Sequence, residues 1–108
     1  MAIPHARPGE PISVRPLGPG LGGMKTHTLI KTDQMEVIRL VVPAGKAIPT
    51  HRVAGPITVQ CLEGRVEFTA GAATRELTAG DFLYLAGNEP HALRGIEDAS
   101  VLVTIMLH

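Results

Sequence analysis

Tryptophan is absent from this 108-residue chain, and Phe68, Phe82 and Tyr84 are its whole aromatic complement. A core without large rings must be built from Val, Ile, Leu and Met, and branched aliphatics pack well on a pleated, half-buried surface. Cysteine is almost missing too. Cys61 stands alone, which excludes an intrachain disulfide and suits a reducing cytoplasm. Charge of either sign is not in excess, with ten Lys and Arg against ten Asp and Glu. Without a basic run or interleaved aromatics to neutralise phosphates and stack bases, nucleic acid is not an expected partner. Long apolar runs are lacking as well, because prolines and glycines interrupt the N-terminal region, so neither a signal peptide nor a membrane span is expected. The sequence carries no phosphate-binding glycine loop, no GxSxG, no HExxH and no paired CxxC, which leaves hydrolase and nucleotide-binding readings without support.

Proline and glycine are what the chain has in quantity, and they are unevenly placed. Residues 1–23 hold Pro4, Pro8, Pro11, Pro16 and Pro19 with Gly9, Gly18, Gly20, Gly22 and Gly23. That density rules out a regular helix or a central strand, leaving a tail or an extended arm ahead of one domain over residues 24–108. A chain of this length is too short to divide into two adequate cores. From Lys25 onward, β-branched and aliphatic runs alternate with turn residues, the pattern of an antiparallel sandwich or barrel. Strands are expected at Thr26 to Lys31, Met35 to Val42, Ile57 to Leu62, Arg65 to Thr69, Thr74 to Leu77, Phe82 to Leu85, His91 to Ile96 and Ser100 to Leu107.

Two short stretches carry more than strand pattern. Gly45, His51 and Gly64 are spaced as in the first motif of the cupin family, and Gly80 and His91 as in the second. The chain resembles that family over roughly Met35 to Leu107. The resemblance implies an all-β jelly-roll barrel, the cupin-type double-stranded β-helix, in which three His and one Glu face a metal. Here Val53 stands at the second His position and Ile57 at the Glu position. In the second motif Ala86, Asn88 and Gly95 replace the Pro, Gly and Asn. Two of the four ligands, His51 and His91, are retained.

If Ile57 faces the interior, strand parity puts Val59 and Cys61 on the same face with Val53 nearby, so the lumen beside the histidines is apolar. A register displaced by one residue would present Gln60 instead. Cys61 reads as a small buried hydrophobe, or as a soft third metal ligand. Tyr84 and Arg94 are candidate polar contacts at a pocket mouth, although Arg94 alternates away from His91. His27 lies outside both motifs, and His5 and His108 sit at the termini. The leading expectation is a small organic molecule held between His51, His91 and an apolar wall of Val53, Ile57, Val59 and Cys61, with Tyr84. Its rivals are a metal-dependent oxygenase or isomerase using one divalent Fe, Mn, Ni or Zn ion on His51 and His91, and a structural protein with a vestigial site. A homodimer is expected, because open sheet edges gain by being covered.

Overall fold

The computed structural model describes residues 5–107; Met1 to Pro4 of the expected arm, and His108, lie outside them. All eight expected runs form strands, with ends moved by no more than one residue, and a ninth strand joins them. The strands are β1 (His27–Lys31), β2 (Met35–Val42), β3 (Ala47–His51), β4 (Ile57–Glu63), β5 (Arg65–Ala70), β6 (Ala73–Thr78), β7 (Phe82–Leu85), β8 (His91–Gly95) and β9 (Ala99–Met106). The unexpected one is β3. It contains Pro49, which lacks a ladder donor, so it survives only at a sheet edge, paired to β8 alone and with its register broken between Ile48 and His51.

Antiparallel pairing gathers the strands into a five-stranded sheet, ordered β1-β2-β9-β4-β7, and a four-stranded sheet, ordered β3-β8-β5-β6. Most neighbours within each sheet are distant in sequence, and these crossovers between two facing sheets make the jelly roll. On the inner face of the larger sheet, Ile57, Val59 and Cys61 of β4 lie beside Ile105, Val103 and Val101 of β9. Across the gap Val66, Phe68 and Leu77 close the core with Leu93. The β4–β5 turn is tight for a definite reason. Gly64 has φ +77°, and a Cβ there would lie 2.1 Å from the Asp98 carbonyl oxygen.

Residues of the proline-rich segment run along the outer face of the larger sheet of their own chain. Arg39 of β2, only 3% exposed, donates to the Arg15 carbonyl at 2.5 Å and to the Glu63 carboxylate at 3.3 Å. Glu63 in turn accepts the N–H groups of Leu17 and Gly18, at 2.8 and 3.0 Å, and the Ser100 hydroxyl at 2.6 Å. A short 3-10 turn, Gly18–Gly23, follows and buries Leu21. Burial works against ionisation of Glu63, but those hydrogen bonds and the Arg39 charge outweigh it and hold the carboxyl below its ordinary range.

Candidate functional site

Both retained histidines come from strands of the smaller sheet. His51 ends β3, His91 begins β8, and the two are register partners. The turn before His91 is shaped by Asn88 at φ +64°, a conformation that asparagine tolerates better than most side chains. Its N–H bonds the Val53 carbonyl at 2.8 Å, which ties the loop after β3 to the loop before β8. Gly87 makes that approach possible, since a Cβ there would lie 2.2 Å from the Ala54 carbonyl oxygen. Backbone packing therefore sets the spacing of the two rings.

The ring centroids are 4.3 Å apart in an edge-on arrangement. His51 is exposed, whereas His91 is 6% exposed and lies parallel to the buried Phe68 ring at 5.8 Å. Nδ1 of His51 donates to the Pro49 carbonyl at 3.1 Å, and Nδ1 of His91 donates to the Glu89 carbonyl at 2.9 Å. A carbonyl oxygen can only accept, so in the neutral rings Nδ1 carries the proton and Nε2 keeps its lone pair. The site thus presents two oriented acceptors, each fixed by its own backbone.

The donor set does not fit the metal centre that the ligand motif implies. A catalytic zinc takes three protein ligands and a non-haem iron two His and a carboxylate. Among the described residues, no third His, Cys, Asp or Glu joins the pair. Ile57, at the carboxylate position, is buried in the core. Cys61 lies four residues further along β4, about 13 Å away at the rise of a strand. Its thiol is fully buried beside the Glu63 and Gly64 carbonyls. Burial pushes that thiol up, leaving it protonated and a poor ligand.

The expected apolar wall is displaced outward. Ile57, Val59 and Cys61 do share one inward face, but they are buried in the core beside Ile105, Val103 and Val101 of β9 and do not line the slot described next. Val53 packs against the same cluster. The opening lies one strand further, between the free edges of β6 and β7, where a slot of about 150 Å³ is lined by Phe68, Ala70, Ala73, Arg75, Leu83 and Leu85. Tyr84 borders it from the outer face of β7, with 68% of its surface exposed. Arg94 points away, to an ion pair with Glu67 at 2.7 Å on the outer face of the smaller sheet.

Of the residues lining the slot only Tyr84 was anticipated; Phe68, Ala70, Ala73, Arg75, Leu83 and Leu85 were not. Phe68 and Arg75 are register partners, as are Ala70 and Ala73, and Ala70 also pairs with His91. One continuous inward row therefore runs His51, His91, Ala70, Ala73 across four strands, and the slot opens at its far end. The signal that could have found it is parity: Leu77 faces the core, so Arg75 and Ala73 face the same way.

Comparison with known proteins agrees with this architecture. An RmlC-like cupin protein from Desulfovibrio desulfuricans superposes with a TM-score of 0.69 at 27% identity, over 76% of this chain and 80% of that one. A cupin superfamily protein from Desulfitobacterium hafniense gives 0.78 at 18% identity, over 95% of this chain and all of that one (100%). The DMSP lyase DddQ from Ruegeria pomeroyi gives 0.67 at 24% identity, over 75% of this chain but 45% of the lyase. Below a quarter identity the likeness is one of fold. Among curated proteins, no relative matches the chain. The Cupin domain model matches residues 38–107, which include both histidines and β3 to β9 whole, and the chain belongs to the cupin family.

Proposed function

We propose that this cupin binds a small organic molecule beside the His51–His91 pair. The observation that carries the reading is the shared tautomer: both Nδ1 atoms are engaged by backbone carbonyls, so two Nε2 acceptors remain at one end of an inward row whose other end opens into an apolar slot. Few polar groups set in an apolar wall is the usual make-up of a ligand site. Anything that binds only the folded state raises its melting temperature by mass action. A set of small organic molecules screened by thermal shift should therefore give ligands that stabilise the native protein and leave a His51→Ala/His91→Ala variant unmoved. If no molecule distinguishes the two proteins, the site is vestigial. Metal bound near one ion per chain after purification without chelator, and lost in the double variant, would instead favour the metal-dependent enzyme.

The same reading includes a homodimer formed through the outer face of the larger sheet. Thr58, Gln60, Phe82, Tyr84, Leu102, Thr104 and Met106 form an uncharged surface there, with Phe82 64% exposed. It adjoins β7, an edge strand whose outer ladder is unpaired among the described residues. An uncharged face can meet its own copy about a twofold axis without placing like charges together.

A further inference from the structure

Arg75 is the one cation that the smaller sheet turns towards its inner face. Its register partner is Phe68, which is buried, so both side chains leave the same face, and Arg75 lies at the slot between β6 and β7. The other arginines on these strands are engaged. Arg65 bonds Glu76 at 2.8 Å and Arg94 bonds Glu67 at 2.7 Å, both outside the barrel. Arg75 forms no ion pair or hydrogen bond with any described residue. A fixed positive charge thus borders an apolar slot of about 150 Å³, a volume comparable to an apolar cavity that accepts benzene.

Two further facts define the occupant. A guanidinium presents a planar fork that matches a carboxylate with two parallel hydrogen bonds. At the other end of the inward row, His51 and His91 offer acceptors, which call for a hydroxyl or amine donor. His91 and Arg75 lie two strands and two residues apart, about 12 Å between their backbones at ordinary strand geometry. Arg75 is exposed and its long side chain is free to reach into the slot, so a benzene-sized body with a polar group at each end is of the length that would span the two sites.

Resting on the small-molecule reading above, we infer that the site takes a small organic carboxylate, its anion on Arg75 and a hydrogen-bond donor at its other end on the Nε2 atoms of His51 and His91. The apolar body lies along Phe68, Ala70, Ala73, Leu83 and Leu85.

The test is an NMR titration of the full chain with four probes: benzoate, benzamide, 4-hydroxybenzoate and inorganic phosphate. Benzoate is expected to shift the amides of Ala73, Leu83 and Leu85 and to bind at least tenfold tighter than benzamide. The 4-hydroxy group should add affinity in the native protein, and none in His51→Ala/His91→Ala. In Arg75→Gln the preference for acid over amide should vanish while the remaining spectrum is unchanged, and Arg75→Lys should restore part of it.

Equal binding of benzoate and benzamide, or an undiminished preference in Arg75→Gln, overturns the carboxylate assignment and leaves the small-molecule reading standing. Phosphate binding as tightly as benzoate also overturns it, since the slot would then be a simple anion site. If no organic probe shifts any slot amide, the carboxylate assignment falls, while the small-molecule reading is decided by the thermal-shift screen.

Discussion

Glu63 joins three parts of the chain: the segment Arg15 to Gly18, the buried guanidinium of Arg39 and the hydroxyl of Ser100. Because its carboxyl is held below its ordinary range in the folded state, its contribution to stability is complete above the unfolded value near 4.5 and is lost as pH falls through the folded value. Urea midpoints measured from pH 7 down to pH 3 should therefore fall more steeply for the native protein than for Glu63→Gln. At pH 7 that variant should be less stable by about 2 kcal/mol, the loss of charge-assisted hydrogen bonds to a partly buried carboxylate. Gly64 beside it permits a sharper prediction. Gly64→Ala must place a Cβ 2.1 Å from the Asp98 oxygen at a φ of +77°, and should cost at least about 2 kcal/mol, read from the same urea transitions. At this scale the sequence was legible where a residue type is unusual for its surroundings. His51 and His91 stood out by their spacing from Gly45, Gly64 and Gly80. Arg75 did not, because an arginine between Thr74 and Glu76 has the polarity of any solvated strand, and only its parity with Leu77 turns it inward.

Among the elements, β3 teaches the most about reading this sequence. Runs such as Val37 to Val42 announce themselves because both faces of a central strand are covered, so apolar residues are continuous. Four of the five β3 residues are exposed, and Pro49 removes a ladder donor, so the strand has no such pattern to show. What makes it a strand is β8, which was legible. Its single pairing and its broken register also make it the weakest rung of the site. Amide hydrogen exchange should find Ile48 and His51 exchanging at least roughly tenfold faster than Val59 and Val103, whose strands are flanked on both sides. Equal protection would mean that something outside the chain covers the β3 edge. The inward pattern of β4 was also legible, yet it pointed at the wrong open space, since parity reports which way a side chain faces and not how densely its neighbours fill the gap. Ile57, Val59 and Cys61 face inward and are buried in the core, whereas the shorter Ala70 and Ala73 leave room.

For the whole molecule, the alternation of strand runs with turns gave an antiparallel sandwich or barrel and the spacing of Gly45, His51, Gly64, Gly80 and His91 narrowed it to the cupin fold, but neither says how two protomers would meet. The proposed dimer face is supported by the aromatics, because two of the three, Phe82 and Tyr84, sit outside on β7 instead of in the core. Sedimentation at micromolar concentration should give a dimer, and Phe82→Ser/Tyr84→Ser should give a monomer that keeps its fold, because neither side chain contributes to the buried cluster. A native protein that sediments as a monomer would rule the interface out. The slot lies between two edges that are hydrogen-bonded to different sheets and not to each other. Parting β6 from β7 therefore breaks no rung of either ladder, and an occupant can come and go by a small lateral breathing of the barrel wall. Exchange should then be fast, its rates independent of global stability, so that mutations or urea concentrations which halve the unfolding free energy leave the on-rate where it was.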